Sequence, residues 1–190
     1  GQLCCCGDVC DAEGVPAKPA PAVTEPGDVF QMLMQVRQSG PDGRAVWLAE
    51  TQKPLHDLLA NDQTVRALVR DPSQLSPKKG LEIMKGDLLD VPTVKTAVKG
   101  VDTIIHLAGL ISYTLPKEDI FRANLDATKV LLKHAGHVKK FLFSSSVSVY
   151  GETKNKVNEQ SHPHPINAYG ESKLAAEQAI KESGIPSLSY

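Results

Sequence analysis

The sequence predicts an α/β protein built on a doubly wound parallel sheet. Three observations carry this. Short apolar runs alternate with segments of helical period from residue 45 onward. The central runs, VDTIIHLAG at 101–109 and KKFLFSSSVSVYG at 139–151, are apolar through most of their length before each meets a polar or glycine end, as in strands buried on both faces. Between them lies a long amphipathic helix, EDIFRANLDATKVLLKHAG at 118–136. Strands alternating with helices in this way give parallel pairing through right-handed crossovers.

The elements follow in order. Residues 1–27 are rich in Pro, Ala and Gly, lack periodicity, and read as a flexible or extended lead-in. DVFQMLMQVRQSG at 28–40 has apolar residues at helical spacing and reads as a helix ending at Gly40. AVWLA at 45–49 reads as a first strand, and Thr51 caps a helix through about Asn61, with Pro54 in its first turn. TVRALVR at 64–70 is a strand with β-branched residues, DPSQLSPKKG a turn-rich loop, and LEIMKGD at 81–87 a short strand. VPTVKTAVKG at 91–100 is a short helix closed by Gly100. The long helix turns Ile120, Leu125, Thr128, Leu131 and Leu132 toward the core. A helix over 168–183 and a strand beginning at Ile185–Tyr190 complete the pattern. The domain boundaries expected are 1–43 for a tail or foreign segment and 44–190 for the folded domain.

Composition narrows the function. The chain has 190 residues, enough for one domain with its own core, at 41% hydrophobic and 23% charged. A net charge of −1 gives no electrostatic argument for nucleic acid or an anionic membrane. No apolar run is long enough to span a bilayer and no secretory h-region is visible, so a cytoplasmic protein is expected. Cys4, Cys5, Cys6 and Cys10 all lie at the start of the chain. That clustering suits neither a disulfide framework nor a paired zinc site, and reads as a tail of unpaired thiols. The first residue is Gly1, and Tyr190 falls inside the apolar run IPSLSY, so the sequence reads as a fragment.

In a doubly wound fold, ligands bind at the carboxyl ends of the strands. The residues placed there are Arg70, Asp87, His106 to Gly109, and Ser144 to Ser148. One further pair belongs with them. In NAYGESKLAAEQ, Tyr169 and Lys173 stand at i and i+4, adjacent on a helix face. A phenol of pKa about 10 is a poor base near neutrality. A neighbouring ammonium favours the phenolate, and a phenol so tuned exchanges a proton with a substrate alcohol or carbonyl. A serine from the preceding strand end can share that oxygen, though sequence physics does not choose among Ser144, Ser145, Ser146 and Ser148. His106 reads as a packed strand-end residue more readily than as an acid or base. His134 and His137 lack a carboxylate or cysteine partner for a metal face, so no metal site is expected.

Several motifs occur in a set order: VRALVRD, KGDLLD, IIHLAGL, FRANLDAT, FLFSSSVSVYG and NAYGESKLAAEQ. Over about residues 64–190 the chain thereby resembles the extended short-chain dehydrogenase/reductase superfamily, in its NAD-dependent epimerase/dehydratase-like branch. The resemblance implies a Rossmann-like dinucleotide-binding domain. It implies that Tyr169 is the catalytic acid/base, that Lys173 lowers its pKa and holds the nicotinamide ribose, and that Ser146 orients the substrate oxygen. Asp87 and Leu88 would flank the adenine, Leu107, Ala108 and Gly109 would line the cofactor cleft, and Asn124 would join the active-site hydrogen bonds. Arg70 suits a 2′-phosphate while Asp71 beside it suits a ribose hydroxyl, so NADP is expected ahead of NAD. The activity implied is hydride transfer at a hydroxyl- or carbonyl-bearing carbon of a nucleotide sugar or small carbonyl compound, by an oxidoreductase or epimerase. A homodimer is left open.

The family's glycine-rich turn, which lets backbone approach a pyrophosphate at a helix N-terminus, should fall near residues 45–51. The sequence there is AVWLAET, without glycine, and Gly40 and Gly43 do not form G-x-G-x-x-G. The first strand, turn and helix therefore read as degenerate, and the C-terminal substrate region as truncated. A non-catalytic or regulatory member of the same fold, or an inactive fragment, is the alternative.

Overall fold

The computed structural model of the chain describes residues 29–34, 36–37, 55–61, 63–153 and 156–190. Its strands are β1 (Val29–Met34), β2 (Val36–Arg37), β3 (Thr64–Val69), β4 (Leu81–Lys85), β5 (Thr103–His106), β6 (Gly109–Leu110), β7 (Lys140–Phe143) and β8 (Ser187–Ser189). Its helices are α1 (55–60), α2 (Val91–Val98), α3 (Lys117–Phe121), α4 (Ala127–His134) and α5 (Ala168–Glu182), with a π-helical turn over Arg122–Asp126 joining α3 to α4. Single 3-10 turns follow β3 (Pro72–Gln74) and β7 (Val147–Tyr150).

Six strands form one sheet in the order β4-β3-β1-β5-β7-β8, every pairing parallel. Chain order runs outward in both directions from β1, so the topology reverses beside it, and crevices at such reversals are where ligands sit. This is the doubly wound architecture expected from the sequence.

One expectation is corrected. Within the segment expected to be a helix, Val29–Met34 is instead the central strand, with Met32 opposite Ala67 on one side and Ile105 on the other. The run VFQMLM is apolar at most positions, and a short apolar run has no period that separates a buried strand from a buried helix. The sheet therefore begins ahead of residue 44. The strand expected at 45–49, the Thr51 cap and the N-terminal cysteines lie outside the described residues. After β1 the chain makes a second short parallel contact, Val36 opposite Gly109 and Arg37 opposite Leu110.

Both faces of the sheet are covered, and β3 shows how alternation divides them. Val65, Ala67 and Val69 pack with Leu55 and Leu75 on one face. Leu68 points the other way, into a larger cluster with Val94, Ile104, Leu131, Phe141 and Ile180. Each fully buried leucine or phenylalanine there contributes about 2 kcal/mol from area removed from water. The long helix predicted over 118–136 is present but split by the π-helical turn; Ile120, Thr128 and Leu131 are buried, and Leu125 and Leu132 pack partly against the core.

α5 carries most of the chemistry and is positioned at its first turn. Asn167 caps it, its Oδ1 accepting from the Gly170 N–H at 2.8 Å. A Cβ on Gly170 would lie 2.4 Å from the Ser148 carbonyl oxygen, so glycine is what lets this helix press onto the turn after β7. Among the described residues, no helix is long and apolar enough to cross a membrane.

Candidate active site and cofactor cleft

The run Ser144–Ser145–Ser146 leaves the carboxyl end of β7 and meets α5 at three points. The Lys173 ammonium donates to the Ser144 carbonyl at 2.5 Å. The Ser145 hydroxyl donates to the Glu177 carboxylate. The Ser146 hydroxyl accepts from the Ser148 N–H at 3.2 Å and lies near enough to the Tyr169 phenol to favour its ionised form. The serines that the sequence left equivalent are thus separated by their partners: Ser146 is the one whose hydroxyl meets Tyr169.

Tyr169 and Lys173 are both buried, at 7% and 4% exposure, on the face of α5 that meets the sheet. Burial lowers the Lys173 pKa to about 8, partly offset by the Glu177 carboxylate, and its ammonium stands 4.1 Å from the Phe143 ring centroid. The expectation that Lys173 lowers the pKa of Tyr169 is not met in this structure. Burial raises the phenol's pKa, the Ser146 hydrogen bond opposes that more weakly, and nearby Tyr113 adds to the rise. The physical reason is burial of the phenol, while the Lys173 ammonium is engaged by the Ser144 carbonyl and the Phe143 ring.

Asn124 sits in the π-helical turn at 2% exposure. Its Oδ1 accepts from the Leu110 N–H at 2.6 Å, and its Nδ2 donates to the Leu110 carbonyl at 3.1 Å and to the Ser172 hydroxyl at 2.8 Å. Ser172 in turn donates to the Tyr169 carbonyl at 2.7 Å. One amide therefore ties β6, the turn and α5 together, and its burial is fully compensated.

A cleft of about 290 Å³ opens beside this network. Arg70 after β3 and Asp87 after β4 stand at its rim, 3.9 Å apart as an ion pair. Ala108, Gly109, Ala123 and Ala127 make a wall of small residues, and Arg122 and Asp119 add charge at the mouth. Gly109 joins the cleft to Asn124 and Lys173: a Cβ there would stand 3.5 Å from Asn124 Oδ1 and 3.9 Å from Lys173 Nζ.

The structure thus gathers Arg70, Asp87, Ala108 and Gly109 at the cleft, with Asn124 and Lys173 against Gly109, and it sets Tyr169 one turn before Lys173 on α5 with Ser146 in the turn after β7. It does not bring the other two predicted residues into the cleft. Leu88 is 1% exposed and belongs to the core, while its neighbour Leu89 lines the cleft. Leu107 packs against the smaller core cluster. Asp71 caps the 3-10 turn, accepting from the N–H of Ser73 at 3.1 Å and from its hydroxyl at 2.6 Å. Sequence reasoning missed Ser172, Leu89, Arg122 and Glu177. For Glu177 a signal existed, its place four residues after Lys173 on the same helix.

The model of the NAD dependent epimerase/dehydratase family matches residues 53–184 of the chain. An uncharacterized protein of Sinorhizobium fredii, y4nG, is 32% identical over 129 residues, covering 66% of this chain and 32% of that protein. The N-acetyl-alpha-D-glucosaminyl-diphospho-ditrans,octacis-undecaprenol 4-epimerase of Escherichia coli O157:H7 is 36% identical over 101 residues, covering 51% of this chain and 30% of the enzyme. Among solved structures, MoeE5 in complex with UDP-glucuronic acid and NAD superposes with a TM-score of 0.68 at 26% identity, covering 86% of this chain and 52% of that one. The chain spans roughly a third of the length of these curated relatives and about half of the solved one.

Proposed function

The chain belongs to the NAD dependent epimerase/dehydratase family, and from that premise we propose that it serves an NAD-dependent enzyme acting at a hydroxyl-bearing carbon of a nucleotide sugar, most simply as an epimerase. The observation that supports this most is the approach of the buried Lys173, one helical turn from Tyr169, to Gly109 in a cleft whose wall is built from alanine and glycine. That wall suits a flat dinucleotide, since small side chains let it lie close to the backbone. In this reading Arg70, Asp87, Ala108 and Gly109 hold the dinucleotide, with Leu88 and Leu107 supporting its site from the core and Asn124 fixing the β6 backbone beneath it.

The bound cofactor would supply hydride acceptance and return at the sugar carbon. The residues of the chain manage the proton. The raised pKa of Tyr169 keeps the phenol protonated, the form that donates to a carbonyl oxygen. Taking a proton from a hydroxyl is the harder direction, and the Ser146 hydrogen bond favours the phenolate it needs. Ser146 orients the same substrate oxygen. Lys173 supplies a buried positive charge near Gly109 for the dinucleotide's ribose and the developing phenolate.

NAD is preferred over NADP. MoeE5 is solved with NAD, and Arg70, whose position suggested a 2′-phosphate, is paired with Asp87 across the cleft rim. The relatives named for UDP-sugars and a diphospho-linked sugar favour a nucleotide- or diphospho-sugar over a small carbonyl compound. A cytoplasmic setting goes with this reading, because every cysteine falls in the first ten residues. One observation favours the non-catalytic alternative: the first glycine after β1 is Gly40, beyond β2, so no glycine turn follows that strand directly.

The test is conversion of UDP-glucose or UDP-N-acetylglucosamine to its 4-epimer by the full-length protein with NAD, followed by NMR. Tyr169→Phe should lower turnover by about 100-fold or more, the usual worth of a positioned acid/base. Turnover unchanged by Tyr169→Phe would remove the assigned role.

A further inference from the structure

α5 does more than present a tyrosine and a lysine. Tyr169, Lys173 and Glu177 follow one another at intervals of four along one side of the helix, and each holds a different member of the serine run. Tyr169 meets the Ser146 hydroxyl, Lys173 the Ser144 carbonyl, and Glu177 the Ser145 hydroxyl. The middle serine is held on its other side too, its N–H donating to the Tyr190 carbonyl at 2.8 Å. Fixing Ser145 fixes the peptides on either side of it. Those peptides carry the carbonyl that receives Lys173 and the hydroxyl that meets Tyr169.

The charge of Glu177 has a second effect. Lys173 is buried and sees few compensating groups. The ionisable groups around it are Tyr169 and Glu177 on α5 and His106 on β5, with Phe143 beneath. His106 is held neutral by full burial and by the Lys173 ammonium itself. Glu177 is thus the anion set against the buried ammonium. The ammonium form is what both the ribose contact and the phenolate require.

We propose that Glu177 is a positioning residue of the site: its carboxylate pins Ser145, and with it the Ser144 and Ser146 contacts, while keeping Lys173 in its charged form. This rests on the proposed function for its consequence in catalysis, but not for its physical content, which concerns two side chains and a loop.

The experiment separates the two. Lysine labelled with ¹³C at Cε is incorporated into the full-length protein, and the Lys173 resonance, assigned with Lys173→Arg, is followed against pH. Glu177→Gln keeps the shape and an acceptor for Ser145 but removes the charge. Its Lys173 midpoint should fall from about 8 in the wild type by about one pH unit, and Glu177→Asp should recover most of that fall. Ser145→Ala, which keeps the charge and loses the pin, should leave the midpoint near the wild-type value and broaden the Ser146 amide signal.

In parallel, NADH is titrated at pH 6 and pH 9. Glu177→Gln should bind like wild type at pH 6, where both ammoniums are charged. At pH 9 it should bind up to about tenfold more weakly, since each pH unit of midpoint difference is a factor of ten in the charged fraction. A Lys173 midpoint unmoved by Glu177→Gln in a variant with wild-type melting temperature would overturn the proposal. Absence of NADH binding by the wild type, with the midpoint shift present, would instead overturn the proposed function and leave the role of Glu177 standing.

Discussion

His106 ends β5 with its ring wholly enclosed, edge-on to Phe141 and tilted against Phe143. Its hydrogen bonding can be worked out from its neighbour. The Thr128 hydroxyl gives its proton to the Asn124 carbonyl at 2.6 Å, so toward His106 at 2.8 Å it accepts, and the imidazole proton sits on Nε2. Nδ1 is left as a buried lone pair without a partner. Protonating it would bury a second charge near Lys173, and burial first, then that ammonium, push the pKa down to about 3. The sign follows: the unfolded chain takes up the His106 proton near pH 6.5 while the folded chain refuses it until about pH 3. Stability from this group is whole above pH 6.5 and drains as pH falls through that window. Unfolding free energies from urea titrations between pH 6.5 and 5 should decline with a slope approaching about 1.4 kcal/mol per pH unit, and His106→Gln should flatten it. An equal slope in both proteins would show that His106 titrates freely.

β1 and the π-helical turn show what an element's neighbours decide. As sequence, VFQMLM carries no period that favours strand over helix; as a strand it is the partner of both β3 and β5. Without it those two would face each other across an open gap with two unpaired edges. A chain beginning at residue 44 should therefore lose its cooperative unfolding transition, whereas one beginning at residue 27 should keep it. Calorimetry on the two decides the matter, and a cooperative transition in the shorter chain would refute the central place of β1. The π-helical turn was equally hidden. FRANLDATKVLLKHAG has an unbroken helical pattern, and the widened turn follows from Asn124 reaching out to both backbone groups of Leu110 and to Ser172. Such widened turns recur where a helix must deliver a side chain to a site.

At the scale of the whole molecule, what could be read from the sequence is what local pattern governs. The strands at 64–69, 81–85, 103–106 and 140–143 and the helix at 168–182 stand close to where alternation and helical period put them. Arg70, Asp87, Ala108, Gly109 and Ser146 come to the strand ends because the topology sends every strand the same way, and α5 brings Lys173 to the end of β7. What escaped was set by distant parts of the chain. Leu88 and Leu107 turn into the core because neighbouring strands and helices claim them. The Tyr169 pKa rises because tertiary packing buries the phenol, which no i, i+4 spacing reveals. The junction of the cleft with Asn124 and Lys173 is Gly109, and it offers the most direct test of the proposed dinucleotide site. A methyl group there meets only ordinary contacts within the protein, so Gly109→Ala should fold as the wild type does, while standing in the cleft. The measurement is a calorimetric titration of NAD into the full-length protein and into Gly109→Ala and Gly109→Val, with melting temperatures recorded alongside. Binding to the wild type is expected, with affinity falling stepwise, by about tenfold or more for Val, at little change in melting temperature. Equal NAD affinity in all three, or none in the wild type, would contradict it.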